Sequence, residues 1–259
     1  MGLSLRQSRL LDFIIREYVK RAEPIPSALV CRKSSGLHVS SATVRKEMNH
    51  LEDRGYLEQR HVSGGRVPTD KAYRYFVNNL LAPEKSLIEP REQRKIQTSL
   101  ARADNNPQLL CKMIAQVLSD LSDNLVITGI EPSLQARPET GDFFKIGLTS
   151  LFEMPEFKQF DRMFQLTSFF EDFDNIFDSF ARDLMGEFGR DVQAGRGWIN
   201  IFIGRENPFG QVKDETMMVA KYPLPGRLRG SLALIGPTRM DYEKNIALIK
   251  YTVDSLGRM

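Results

Sequence analysis

The chain has 259 residues, 41% hydrophobic and 27% charged, with 16 Phe and 7 Tyr to bury; this excludes a disordered chain and predicts one or two globular domains. No run approaches the roughly 18 apolar residues of a membrane helix, the opening MGLSLRQSRL has no apolar secretion core, and Arg6 stands where a myristoylation motif wants Ser or Thr, so a cytoplasmic protein without membrane contact is expected. The net charge of +3 hides an asymmetry: residues 1–82 carry 14 Lys and Arg against 8 Asp and Glu, whereas 83–259 carry 22 against 25, as in a nucleic-acid-binding unit joined to a regulatory one.

Leu5 to Arg21 is predicted helical, because Leu10, Leu11, Ile14, Ile15, Tyr18 and Val19 recur at three and four. Pro24 and Pro26 stop it, and Ser27 to Lys33 restarts a short helix. A third helix follows, with Ser40 or Ser41 as its N-cap and Val44, Met48 and Leu51 as its buried stripe; Gly55 ends it. Tyr56 to Gln59 predicts a short strand, 61–66 a tight loop, and Val67 the returning strand. Thr69 caps a closing helix with an apolar stripe of Tyr73, Phe76, Val77 and Leu80. Three helices, a hairpin and a helix make a winged helix-turn-helix over 1–82, whose third helix enters the major groove. Residues 83–123 are predicted as a helical linker, broken at Asn105-Asn106-Pro107. Residues 124–259 are expected to form an α+β sensor-type domain with strands at 124–130, 143–148, 198–203, 216–222 and 230–235. Helices are expected at 157–186, rich in Phe, and at 241–256.

A groove-entering helix needs donors and short side chains on its exposed face, which Ser40, Ser41, Ala42, Thr43, Arg45, Lys46 and Asn49 supply. Arg45 suits guanine or phosphate, and Asn49 an adenine edge. On the wing, His61, Ser63 and Arg66 bracket Gly64 and Gly65; the glycines admit close backbone approach to phosphate, and an arginine can enter an adjacent minor groove. Thr69 completes the DNA-binding set, with Arg6, Arg9, Arg74 and Tyr75 as further phosphate candidates. The Gly236-Pro237-Thr238-Arg239 loop either binds an anion or caps the following helix. Cys31 and Cys111 stand far apart with no CxxC, which argues against zinc and against a disulfide scaffold; both read as buried thiols. Nucleophile-elbow, zincin and P-loop motifs are missing, so neither an enzyme nor a cofactor or metal site is expected.

The string Ser40-Ser41-Ala42-Thr43-Val44-Arg45-Lys46-Glu47-Met48, with Leu51-Glu52 and Gly55-Tyr56-Leu57, resembles the HrcA family of heat-inducible transcription repressors. His61-Val62-Ser63-Gly64-Gly65-Arg66-Val67-Pro68-Thr69-Asp70-Lys71 strengthens the likeness. So do Pro155-Glu156-Phe157, Ile203-Gly204-Arg205-Glu206-Asn207 and Ile235-Gly236-Pro237-Thr238-Arg239-Met240-Asp241-Tyr242. The resemblance implies an N-terminal winged helix followed by a GAF-like α+β domain. It further implies repression of heat-shock chaperone operons at an inverted-repeat operator, with the chaperonin keeping the repressor active. Family members are longer. The shortening falls between Ile130-Glu131-Pro132 and Gly141-Asp142-Phe143, where the family has more of its sheet and an inserted dimerisation segment. Gly64-Gly65 replaces the family's single glycine beside alanine, a change expected mainly to add flexibility. A homodimer is expected all the same, since one winged helix reads only a half-site, and the Phe-rich 157–180 offers apolar surface beyond one domain's need. Two alternatives are a metabolite-responsive regulator with its ligand in the GAF-like domain, and an interaction module without operator binding.

Overall fold

A computed structural model describes residues 2–33, 40–60, 64–81, 88–131, 143–171 and 199–258. The chain divides into two units: 1–82 together with 238–242, and 83–237 together with 243–259.

In the first unit, α1 (Leu5–Arg21) opens on a reciprocal cap: Ser4 Oγ accepts from Gln7 N, and Gln7 Oε1 accepts from Ser4 N. Its core face buries Leu10, Leu11, Ile14 and Ile15, while Tyr18 and Val19 are only half-buried. Ala22 turns left-handed to end it, and α2 (Ser27–Lys33) follows. Helix α3 (Ser41–Asp53) is capped by Ser40 and buries Val44, Met48 and Leu51, the stripe expected. Gly55 takes φ +74° just beyond its end, a conformation glycine adopts without cost. The hairpin is shorter than expected: β1 (Leu57–Glu58) pairs antiparallel with β2 (Val67–Pro68), Leu57 opposite Pro68. A single bridge between Ile25 and Arg66 adds a third edge. Helix α4 (Asp70–Tyr75), capped by Thr69, widens into one π turn over Phe76–Leu80. Thr238–Tyr242 completes this unit. The Tyr242 ring packs 5.7 Å from that of Tyr73 and 6.4 Å from that of Phe76, and Arg239 Nη1 donates to the Val19 carbonyl.

The second unit is built on a five-stranded antiparallel sheet of order β4-β3-β7-β6-β5. Its strands are β3 (Leu125–Ile130), β4 (Phe143–Ile146), β5 (Ile199–Ile203), β6 (Glu215–Leu224) and β7 (Leu228–Pro237). Alternation sends Leu125, Ile127, Met217, Val219, Ala233 and Ile235 to one face. There they meet Leu151 of α7 (Leu148–Glu153), Phe157, and Leu166 and Phe169 of α8 (Phe160–Glu171). Helix α7 had no sequence expectation, and the Phe-rich helix is described only to Glu171. Helix α6 (Pro107–Ser122) packs on β3 and β4, with α5 (Pro90–Ala101) against it. The stretch expected as a linker is therefore a helical layer of the second unit, because α6 is apolar enough to bury Leu110, Ile114, Ala115 and Leu118. Helix α9 (Tyr242–Leu256) meets α5 through Gln97 Nε2, which donates to Tyr251 Oη at 2.7 Å. Cys111 is buried as expected and accepts from Tyr222 Oη at 3.2 Å. Cys31, expected to be buried, is exposed on the short α2. Among the described residues no helix is long and apolar enough to cross a membrane.

Candidate nucleic-acid interface

Helix α3 holds most of the candidate residues, and burial fixes how it is turned. With Val44, Met48 and Leu51 inward, Ser41, Ala42, Arg45, Lys46, Asn49 and His50 are exposed. Glu47 is drawn against α1, where Gln7 Nε2 donates to its Oε2 at 3.1 Å and Arg6 Nε reaches its Oε1 at 3.1 Å. Arg6, a phosphate candidate, thus has a carboxylate partner within the protein.

At the N-terminus of α3, Ser40 Oγ accepts from Thr43 N at 3.2 Å and lies 3.0 Å from Thr43 Oγ1. The helix start is locked while Ser41 and Ala42 stay exposed beside its free amides, the end of a helix that favours an anion. Arg45 stands one turn on, its Nε 3.4 Å from Ser27 Oγ. Lys46 is exposed and has no hydrogen-bond or ion-pair partner among the described residues. Asn49 is exposed one turn beyond Arg45, but its Oδ1 accepts from Arg66 Nη2 at 2.7 Å.

The wing is organised around Arg66. Its backbone exchanges two hydrogen bonds with Ile25, Ile25 N to Arg66 O at 2.9 Å and Arg66 N to Ile25 O at 3.0 Å. Its side chain is 17% exposed and turns back onto α3, Nε donating to Glu52 Oε2 at 2.8 Å. The sequence placed Arg66 on the wing, suited to an adjacent minor groove; the structure ties its side chain back to α3. Glu52 and Ile25 were not singled out from the sequence. Asn49 and Glu52 are three apart on one helix face, and that spacing was the available signal for a shared partner. Gly65 is needed for close approach rather than for flexibility: a Cβ there would stand 2.5 Å from the Ile25 carbonyl carbon. The Gly64 carbonyl accepts from Gln59 Nε2 at 3.3 Å. His61 and Ser63 lie outside the described residues.

Thr69 is occupied locally. Its Oγ1 donates to Gly55 O at 2.7 Å and accepts from Ala72 N at 3.3 Å, joining the end of α3 to the start of α4. Tyr73 is 1% exposed and belongs to the core. Tyr75 Oη lies 2.9 Å from Ser8 Oγ, and Arg74 reaches Asn78 at 3.5 Å.

In the second unit, the sheet face under α7 and α8 is filled by Phe157, Leu166, Phe169 and Val212. Asn207 is buried, and its Nδ2 donates to the carbonyls of Gly204, Val212 and Glu215, which makes it the organiser of the loop between β5 and β6. Burial pushes the Glu215 carboxyl upward despite the opposing pull of Arg162, 3.0 Å away. Phe160 and Phe164 stack on each other on the exposed side of α8, 72% and 62% exposed.

Residues 69–246 match the family model described as the HrcA protein C-terminal domain. The chain is 27% identical over 345 aligned positions to the heat-inducible transcription repressor HrcA of Natranaerobius thermophilus, spanning 99% of this chain and 96% of the relative. It is 26% identical to the protein of the same name from Brevibacillus brevis, over 99% and 98% of the two chains. These alignments are longer than the 259-residue chain, so the relatives carry residues that it lacks. A crystal structure described as a hypothetical protein at 2.2 Å superposes with a TM-score of 0.73 at 19% identity, covering 99% of this chain and 98% of that one, and so shares the fold.

Proposed function

This chain belongs to the HrcA family, and on that premise we propose that it represses heat-shock chaperone operons by placing α3 in the major groove of an inverted-repeat operator. The observation that carries this reading is the exposed face of α3. It is capped and stiffened at Ser40, turned by burial at Val44, Met48 and Leu51, and it presents Arg45, Lys46 and Asn49 beside a hairpin. That is the arrangement a winged helix needs to read base edges while its flanks hold phosphates. Within it, Arg45 addresses a base or a phosphate, Lys46 the backbone, and the Ser41–Thr43 turn a phosphate at the helix N-terminus. Residues 1–82, completed by 238–242, serve as the DNA-binding domain, and 83–237 with 243–259 as the GAF-like regulatory and dimerisation domain.

A homodimer follows from operator symmetry, and the exposed Phe160 and Phe164 pair supplies apolar surface for such an association. The chaperonin is the partner that keeps the repressor competent, in the cytoplasm, and heat acts through the folding state of the chain. A metabolite-responsive regulator is the weaker reading, because the sheet face such a ligand would use is packed with Phe157, Leu166 and Phe169.

The deciding experiment is genome-wide immunoprecipitation of the chain before and after heat shock, with footprinting on the enriched promoters. Occupancy of chaperone promoters that falls on heating supports repression. Enrichment elsewhere, or none, removes it. Sedimentation showing only monomer at micromolar concentration, with and without operator, would remove the homodimer.

A further inference from the structure

We infer that Arg66 is a positioning residue that fixes the amide of Asn49 so that its Nδ2, rather than its Oδ1, is offered to a base edge. The inference rests on the DNA-binding reading of α3 and adds what that helix reads.

Arg66 is held before DNA arrives. Two backbone hydrogen bonds to Ile25 set its main chain, and Gly65 leaves the room they need. Glu52 Oε2 holds one edge of the guanidinium, 2.8 Å from both Nε and Nη2, and Nη2 also donates to Asn49 Oδ1 at 2.7 Å. A guanidinium carries donors only, so the amide atom facing it is the oxygen. The carboxamide is planar, and pinning its oxygen toward the wing turns Nδ2 away from it. Among the described residues that Nδ2 meets no acceptor, and the residue is exposed.

The pairing of Asn with adenine needs both ends of the amide, Nδ2 toward N7 and Oδ1 toward the N6 amino group. With one lone pair of Oδ1 taken by Arg66 and that oxygen turned toward the hairpin, the atom Asn49 presents outward is its Nδ2 donor. Guanine fits a donor best, because N7 and O6 are both acceptors, whereas adenine sets an amino group beside N7. The structure thus assigns Asn49 to a guanine in each half-site and revises the adenine edge expected from the sequence.

The test selects bound duplexes from a random library with the full chain, as wild type, Asn49→Asp, Arg66→Gln and Glu52→Gln. Asn49→Asp keeps an acceptor for Arg66 and deletes the donor. The readout is preference between bases, since the added charge weakens binding to every sequence. Wild type is expected to select a guanine that both Asn49→Asp and Arg66→Gln relax, by about 5- to 150-fold, with the rest of the motif intact. Glu52→Gln relaxes the same base pair in part. The salt dependence of Arg66→Gln stays that of wild type. Three results would overturn the proposal: Asn49→Asp selecting the wild-type motif, adenine at the relaxed position, or Arg66→Gln weakening all sequences alike with a salt slope smaller by about one, which is the mark of a phosphate contact. If circular dichroism shows that Arg66→Gln does not fold, Asn49→Asp decides alone. A wild type that enriches no sequence defeats the repressor reading itself.

Discussion

Lys46 and Gly65 make opposite demands on their surroundings. Lys46 extends from the exposed face of α3 with no partner among the described residues, so its removal leaves nothing unsatisfied within the protein. Lys46→Ala is expected to keep the melting temperature, lower affinity for operator and scrambled duplex alike, and reduce the salt slope by about one. A salt titration on both duplexes measures this; a change in their ratio would assign Lys46 to base reading instead. Gly65 has no freedom of that kind. A Cβ would meet the carbonyl carbon, nitrogen and oxygen of Ile25 at 2.5–2.7 Å, and backbone cannot step aside as a side chain can. Gly65→Ala is expected to cost about 1–3 kcal/mol, the range of overpacking, in chemical denaturation monitored on the winged-helix unit. An unchanged midpoint would show that the Ile25–Arg66 bridge is dispensable. The sequence disclosed two adjacent glycines; it did not disclose Ile25, 40 positions upstream, as the reason for one of them.

Helices α1 and α3 were legible because each element announces both its ends and its inner face. Ser40 and Gly55 bracket α3, and Val44, Met48 and Leu51 leave only one way to turn it. The hairpin was legible in place but not in extent, since two-residue strands are set by pairing and not by their own pattern. Helix α7 was missed because its six residues are too few for a period to show. What joins the elements was the least legible part, as with Arg66 and also Glu17. That carboxylate lies on α1 and takes Lys33 of α2 at 3.2 Å and Arg21 at 3.0 Å. Burial alone would raise its pKa, but the hydrogen bonds from Arg21 and Lys33 outweigh it and hold the carboxyl below its usual value. A depressed carboxylate adds stability above the unfolded pKa of about 4.3, and that stability is lost as pH falls through the lower folded value. Glu17→Gln is therefore expected to lower the melting temperature of the winged-helix unit at pH 7 and to match wild type in strong acid. A constant gap at every pH would mean that packing, not charge, accounts for the effect.

At the scale of the molecule, the winged-helix unit is not one continuous stretch of chain. Thr238–Tyr242 belongs to it, with Tyr242 1% exposed against Tyr73 and Phe76 and its Oη donating to Thr238 O at 2.7 Å. The sequence presented this segment as a loop with an option on an anion; the structure spends Arg239 on the Val19 carbonyl. A fragment of residues 1–82 lacks that packing, and its α4 amides are expected to exchange with solvent faster than in the full chain. Tyr242→Ala in the full chain should reproduce the effect, at a cost of about 3 kcal/mol, as for other large aromatic truncations. Equal protection in fragment and full chain would show that the segment adds nothing to the unit.

The same discontinuity sets the order of events at the ribosome. Translation runs at about 5–20 residues per second, so Tyr242 is made about 10–30 s after Ala82. Throughout that interval the nascent N-terminal helices have Tyr73 and Phe76 but not the ring that covers them. Their final packing arrives only once Tyr242 has been made. A product terminated before Thr238 therefore carries the exposed side chains of α3 yet holds them on an unfinished scaffold.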